Sequence, residues 1–332
     1  MQNSTAGLLL KSAITLPFAF VSYLRLRLRR PSSRKVDWGM GRSMPRERED
    51  VLAAALDGKI YAVAGFEPGP GGPVISARAE RYDPASDSWE ELPPLPVARH
   101  HAMIAPAAGK IYVFGGHGDL KNATTFNETY ALDLRRRKWE RKADMPCPRA
   151  GGGAAVLGGK IYLVGGRIGG SVLEGNFKPP LLSVDIYDPK SDKWERGVPM
   201  RIPRDHLGVA VLEGKIYAIG GRVLTLLNPT SAVEIFDPSS GRWEIGQSLP
   251  APVSGEAIVL GKRIILPGCV FGLLGPAFTL SYSPEDGWEL LGTVSGGGYA
   301  HSMAEMGGIG YILGESPNLG FRYSNLARTV RV

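Results

Sequence analysis

The chain carries 332 residues and a net charge of +7, but seven of its 39 basic residues (Lys11, Arg25, Arg27, Arg29, Arg30, Arg34 and Lys35) lie in residues 1–36, which hold no acid. The remainder balances 32 basic against 32 acidic residues, which excludes a nucleic-acid binder built on an extended basic surface. The 44 glycines and 26 prolines follow no three-residue period and the chain has two cysteines, Cys147 and Cys269, so neither a collagen-like fibre nor a disulfide framework is encoded.

In chain order, residues 1–35 form a basic, acid-free extension. Its apolar stretch, residues 12–24, has only thirteen residues, short of the roughly twenty that span a bilayer. The positive charge follows the apolar stretch and no small-x-small cleavage site comes after it, unlike a secretory signal. An acid-free segment with Arg and Ser also fits an organelle transit peptide. If the stretch inserted, Arg25–Arg30 would hold the following domain on the cytoplasmic side. The expectation is a disordered or surface-lying extension with weak membrane association through residues 12–30. A cytoplasmic location is favoured, with membrane anchoring or organelle targeting as alternatives.

From residue 36 onward the chain repeats. Gly-Lys-Ile-Tyr occurs at 58–61, 109–112, 159–162 and 214–217, with tyrosines 51, 50 and 55 residues apart. Each copy reads as a short buried strand that ends at glycine: Gly65, Gly115-Gly116, Gly165-Gly166 and Gly220-Gly221. A second cassette follows as Arg81-Tyr82-Asp83-Pro84, Ile186-Tyr187-Asp188-Pro189 and Ile235-Phe236-Asp237-Pro238, reduced in the second copy to Tyr130 and Asp133. Trp89, Trp139, Trp194 and Trp243 close the copies. A worn fifth copy runs from Gly261-Lys262-Arg263-Ile264-Ile265 through Pro267-Gly268, Tyr282 and Pro284 to Trp288. A sixth keeps Gly310-Tyr311-Ile312-Leu313-Gly314 and has no tryptophan after it, whereas Trp38 stands before the first copy.

These elements resemble the kelch repeat, whose period is near fifty residues. The resemblance covers about residues 36–332 and implies an all-β, six-bladed kelch β-propeller with four-stranded blades. A ring left open would expose strand edges, so the strand around Trp38 is expected to complete the last blade and close it. The Tyr, Trp and Gly positions are read as packing between blades.

The resemblance also implies where a site would lie. The loops leading into the innermost strands and the loops after the glycines share one face, around the channel. Arg46, Arg99, Arg149 and Arg204 are expected there as a ring, with Phe66, His117, Arg167, Arg222, Cys269 and Glu315 following the glycines. Blades five and six, with Pro252-Val253-Ser254 and Gly298-Tyr299-Ala300, carry no such arginine, so the face would be basic on four blades and neutral on two. One reading is an interaction module in which these groups capture a protein or acidic peptide. The other is that the arginines are satisfied internally, by carbonyls and by acids such as Glu47, Glu49, Asp50 and Asp205. The longest loop, 167–183, offers Phe177 and Leu181 as anchors.

His101, His206 and His301 occupy equivalent positions in blades two, four and six, with His100 beside the first. No carboxylate or cysteine joins them at a ligand-like spacing, so no metal and no cofactor is expected, and no catalytic residue is assigned. The architecture also resembles galactose oxidase and the sialic-acid mutarotases. A sugar-acting enzyme of the second type, drawing on Glu256, Glu315, His301 and Arg204, is the alternative, ahead of a galactose-oxidase-like oxidoreductase. The propeller is expected to be monomeric.

Overall fold

A computed structural model describes residues 32–34, 36–120, 124–170, 178–223, 229–269, 277–294, 302–314 and 327–332. Residues 1–31, expected to form the extension, and the candidate site residues Phe177, His301 and Glu315 lie outside the described residues. No helix among the described residues is long and apolar enough to cross a membrane.

The local sequence explains the blades. In the first, Leu52–Leu56, Lys59–Val63, Ala79–Asp83 and Ser88–Leu92 pair in that order as an antiparallel meander. The aspartate of each cassette turns the chain toward the outer strand: its Oδ1 accepts the backbone N–H two residues on at Asp83, Asp133, Asp188 and Asp237, an Asx turn. Five further four-stranded sheets follow, giving six blades. In the last, Asp37–Met40 pairs antiparallel with Ala327–Arg331, Trp38 opposite Val330, so the N-terminal strand closes the ring as the tryptophan spacing required.

There is no single core. Six hydrophobic clusters each span two consecutive blades. Within them the repeat tyrosines meet the aromatic residue of the next cassette, as in Tyr112–Tyr187 at 5.6 Å and Tyr217–Tyr282 at 5.8 Å between ring centroids. The tryptophans add a regular tie. Five indole Nε1–H groups each donate to a carbonyl of the preceding blade's outer edge: Trp89 to Arg42, Trp139 to Pro93, Trp194 to Ala143, Trp243 to Val198 and Trp288 to Gln247, all at 2.8–2.9 Å.

The second glycine of each pair is required by close approach. Gly116 has φ +96° and an added Cβ would lie 2.8 Å from the His100 carbonyl oxygen, a position no L side chain tolerates. After Gly65 the chain makes an extra hairpin, Phe66–Gly69 with Gly72–Ile75, which the repeat pattern does not encode.

Candidate functional site

The arginines of the lead-in loops lie beneath the channel-mouth face. Arg99, Arg149 and Arg204 are fully buried, and each guanidinium is inserted into its own blade. Arg99 Nη2 lies 2.8 Å from Glu128 Oε2, Arg149 Nη2 2.5 Å from Asp185 Oδ2, and Arg204 Nη2 3.0 Å from Glu234 Oε1. Their Nη1 atoms donate to strand-end carbonyls, such as Gly115 O for Arg99 and Gly220 O for Arg204. These groups latch the inner half of a blade and present no guanidinium to a partner.

The first blade corrects the sequence reading by two residues. Arg46 is exposed, and the latch is Arg48, fully buried and 2.5 Å from Glu80 Oε2. The loops align on a buried apolar residue four positions before the latch: Met44, Leu95, Met145 and Met200, continued by Leu249 in blade five. Aligning Arg46 on its preceding proline hid this. In blade two the strand position that holds Glu80, Asp185 and Glu234 in blades one, three and four is Tyr130, and Arg99 pairs instead with Glu128, two residues earlier. Blade five has Val253 at the latch position and Leu280 at that strand position, both buried in one apolar cluster. Arginine and acid are therefore lost together, as an internal ion pair would be.

With the register corrected, the residues two after the latch are Asp50, His101, Gly151, His206 and Gly255. All have positive φ. They carry a belt of backbone hydrogen bonds around the axis, Gly151 N to His101 O and His206 N to Gly151 O at 2.7 Å, and Gly255 N to His206 O at 3.3 Å. Just outside, the residues one after the latch bridge to those after the glycines: Glu49 with Phe66, His100 with His117, Ala150 with Arg167, and Asp205 with Arg222.

The mouth thus gathers His101, His206, His117, Arg167 and Arg222 as the sequence expected, and adds Asp50, Glu49, His100 and Asp205. His101 Nδ1 is 3.0 Å from Asp50 Oδ2 and 2.6 Å from His100 Nδ1. The His101 and His206 rings stand 4.9 Å apart, and His206 Nδ1 is 2.7 Å from Asp205 Oδ1. Arg167 Nε and Arg222 Nε flank the same carboxylate at 4.0 and 3.6 Å. The face is therefore acidic on blade one, imidazole on blade two and basic on blades three and four, in place of a four-blade arginine ring.

Charge follows from burial. Desolvation lowers His100 and His206 to about 4 and His117 to about 3, so the imidazoles are neutral at physiological pH. Burial, reinforced by Glu49, raises Asp50 to about 7, and burial raises Glu49 to about 7. Burial also pushes Asp205 up, but His206, Arg222 and Arg167 outweigh it and hold that carboxyl below its ordinary value.

Below the mouth, side chains from all six blades line an axial cavity of 110 Å³, among them Leu52, Met103, Ala154, Val209, Glu256 and Ser302. Small-molecule pockets usually measure about 300–1,000 Å³, so this space suits a few waters. Glu256 lines it, accepting hydrogen bonds from Ser302 Oγ at 3.1 Å and Met303 N at 3.0 Å. Of the groups considered for a sugar-acting enzyme, Arg204 is committed to its latch, and Glu256 to this channel hydrogen-bond set.

Comparison with known proteins agrees with the repeat. The KLHDC2/KLHL20/DRC7 Kelch-repeats domain matches residues 53–269. Kelch-like protein 35 of Mus musculus is 32% identical over 191 residues, covering 58% of this chain and 30% of that protein. Beta-scruin of Limulus polyphemus is 31% identical over 188 residues, covering 55% of this chain and 20% of that protein. The chain thus matches less than a third of the length of these relatives. The solved structure of YjhT superposes with a TM-score of 0.74 at 17% identity, over 89% of this chain and 97% of that one, a likeness of fold.

Proposed function

Because the chain belongs to the kelch-repeat family, we propose that it is a protein-interaction module whose channel-mouth face engages an acidic segment of a partner protein. The observation that carries this reading is the pair Arg167 and Arg222, two guanidinium groups flanking the single buried carboxylate of Asp205. Both guanidinium groups are largely buried, with side-chain accessibilities of 11% and 13%, and stand in a partly desolvated setting beside imidazoles that burial keeps neutral. A carboxylate arriving from a partner is held by such a fork more strongly than by a solvated lysine. The names of the relatives, Kelch-like proteins and scruins, are in keeping with a propeller used as a module within larger proteins.

The test is affinity capture with the purified chain, comparing the wild type with Arg167→Gln/Arg222→Gln and with Arg136→Glu on an exposed outer turn. A captured protein whose acidic segment binds the wild type and the Arg136 variant, but binds the double variant at least tenfold more weakly, supports the reading. Equal binding by all three, each with an unchanged melting temperature, overturns it.

A further inference from the structure

Four of the five histidines of the chain (His100, His101, His117 and His206) converge on the channel mouth, and a carboxylate meets them. One ligand atom each from Asp50, His100 and His101 lies within 4.8 Å of the other two. We propose that Asp50, His100 and His101 form a binding site for a divalent transition metal ion of the zinc class, with His206 beside its open position.

The proton positions favour this. His100 Nε2 lies 3.1 Å from the backbone oxygen of Asp119. A carbonyl only accepts, so Nε2 carries the hydrogen and Nδ1 presents its lone pair toward His101. The two Nδ1 atoms are 2.6 Å apart and the Asp50 oxygen is 3.0 Å from the second. Three lone-pair donors therefore share very few protons at one point. A divalent cation bonds to all three at once, the neutral His101 ring then carrying its single hydrogen on Nε2 instead of Nδ1.

The surroundings are those of a metal site. The Asp119 carbonyl holding His100 is an outer-sphere partner that fixes tautomer and ring orientation. The Asp205 carboxylate does the same for His206, accepting from Nδ1 at 2.7 Å and leaving the Nε2 lone pair unprotonated. His117 Nε2 is buried with no hydrogen-bond partner among the described residues, and its ring stands 5.3 Å from that of His100. Two imidazoles and a carboxylate with an open position suit Zn²⁺ or Cu²⁺ better than a hard, oxygen-seeking ion. Metal bonds of about 2.0–2.2 Å place neighbouring donors about 3.3 Å apart, so loading moves the His100 and His101 nitrogens apart by less than an ångström. Both Asp50 and His101 are partly exposed, with side-chain accessibilities of 18% and 21%, which gives the ion a way in.

The site is accessible to a direct test with the full chain. After treatment with chelator, the protein is titrated with Co(II) and then Zn(II), following visible absorption and the nitrogen resonances of the histidine rings. The expected result is one equivalent of Co(II) with four- or five-coordinate absorption, displaced by Zn(II), with shifts at His100 Nδ1 and His101 Nδ1. Asp50→Asn and His101→Gln should each weaken binding at least tenfold, while Glu47→Gln on the same loop leaves it unchanged. The ring resonances of the wild type decide the matter even if a variant fails to fold. Absence of stoichiometric binding, or binding that leaves His100 and His101 unshifted, overturns the proposal.

Discussion

Arg48 and Glu80 form a salt bridge of 2.5 Å in which the arginine side chain is fully buried and the glutamate is 3% exposed. Burial pulls Arg48 down, against Glu80, and pushes Glu80 up, against Arg48. Desolvation thus exceeds attraction on both sides, as expected for a buried pair retained for geometry.

Removing one partner is therefore the costly change. Arg48→Ala leaves Glu80 buried without a cation and should destabilise the fold by about 3–5 kcal/mol. Arg46→Ala, on an exposed side chain, should stay within about 0.5 kcal/mol of wild type. The double variant Arg48→Val/Glu80→Leu copies the apolar pair Val253 and Leu280 of blade five and should recover most of the loss. Denaturant unfolding of the three variants checks this, and a loss in the double variant as large as that of Arg48→Ala would contradict it.

The indole ties predict a smaller, repeated effect. Trp139→Phe retains most of the ring but removes the donor to the Pro93 carbonyl, 2.8 Å away. A loss of about 1–2 kcal/mol is expected, and Trp194→Phe, which breaks the tie to Ala143, should cost a similar amount. Thermal unfolding measures both.

Ring closure depends on a strand remote in sequence. Deleting residues 37–40 removes the partner of Ala327–Arg331, exposing a strand edge in the last blade. The deletion should lower the melting temperature by more than any single substitution above and promote self-association, read by light scattering.

Glu256 gives the fold a pH dependence. Burial raises its carboxyl to about 7, only partly offset by hydrogen bonds from Met303 and Ser302. A carboxyl with a raised folded pKa stabilises the protein below the unfolded value and loses that contribution as pH rises through the folded one. Between about pH 4.5 and 7, wild-type stability should fall relative to Glu256→Gln. Melting temperatures of both proteins across that range test the sign.

Much of this architecture is legible in the residues, because a repeat writes the same packing problem six times. Tyr61, Tyr112 and Tyr217 are buried where their spacing put them, and Trp38 closes the ring. The site was read less well. Proline at 45 is a poor ruler for loop register, whereas the buried apolar residue at 44, 95, 145, 200 and 249 is a good one. The slip exchanged Arg46 for Arg48 and hid Asp50, the carboxylate at the histidine position of blade one. Whether an arginine faces solvent or a carboxylate inside its own blade depends on Glu80, Glu128, Asp185 and Glu234, some thirty residues downstream. That pairing is written in the sequence, but only the strand register reveals it.

The most direct measurement of the central claim is a hydrogen-exchange footprint of the chain with its captured partner. Engagement at the channel mouth predicts slowed exchange in the lead-in loops, around residues 99–102, 149–152 and 204–207, and beside Arg167 and Arg222. The outer strands Lys138–Lys142 and Arg242–Ile245 should be unchanged. Protection confined to the outer strands, with the mouth exchanging as in the free protein, would contradict the account.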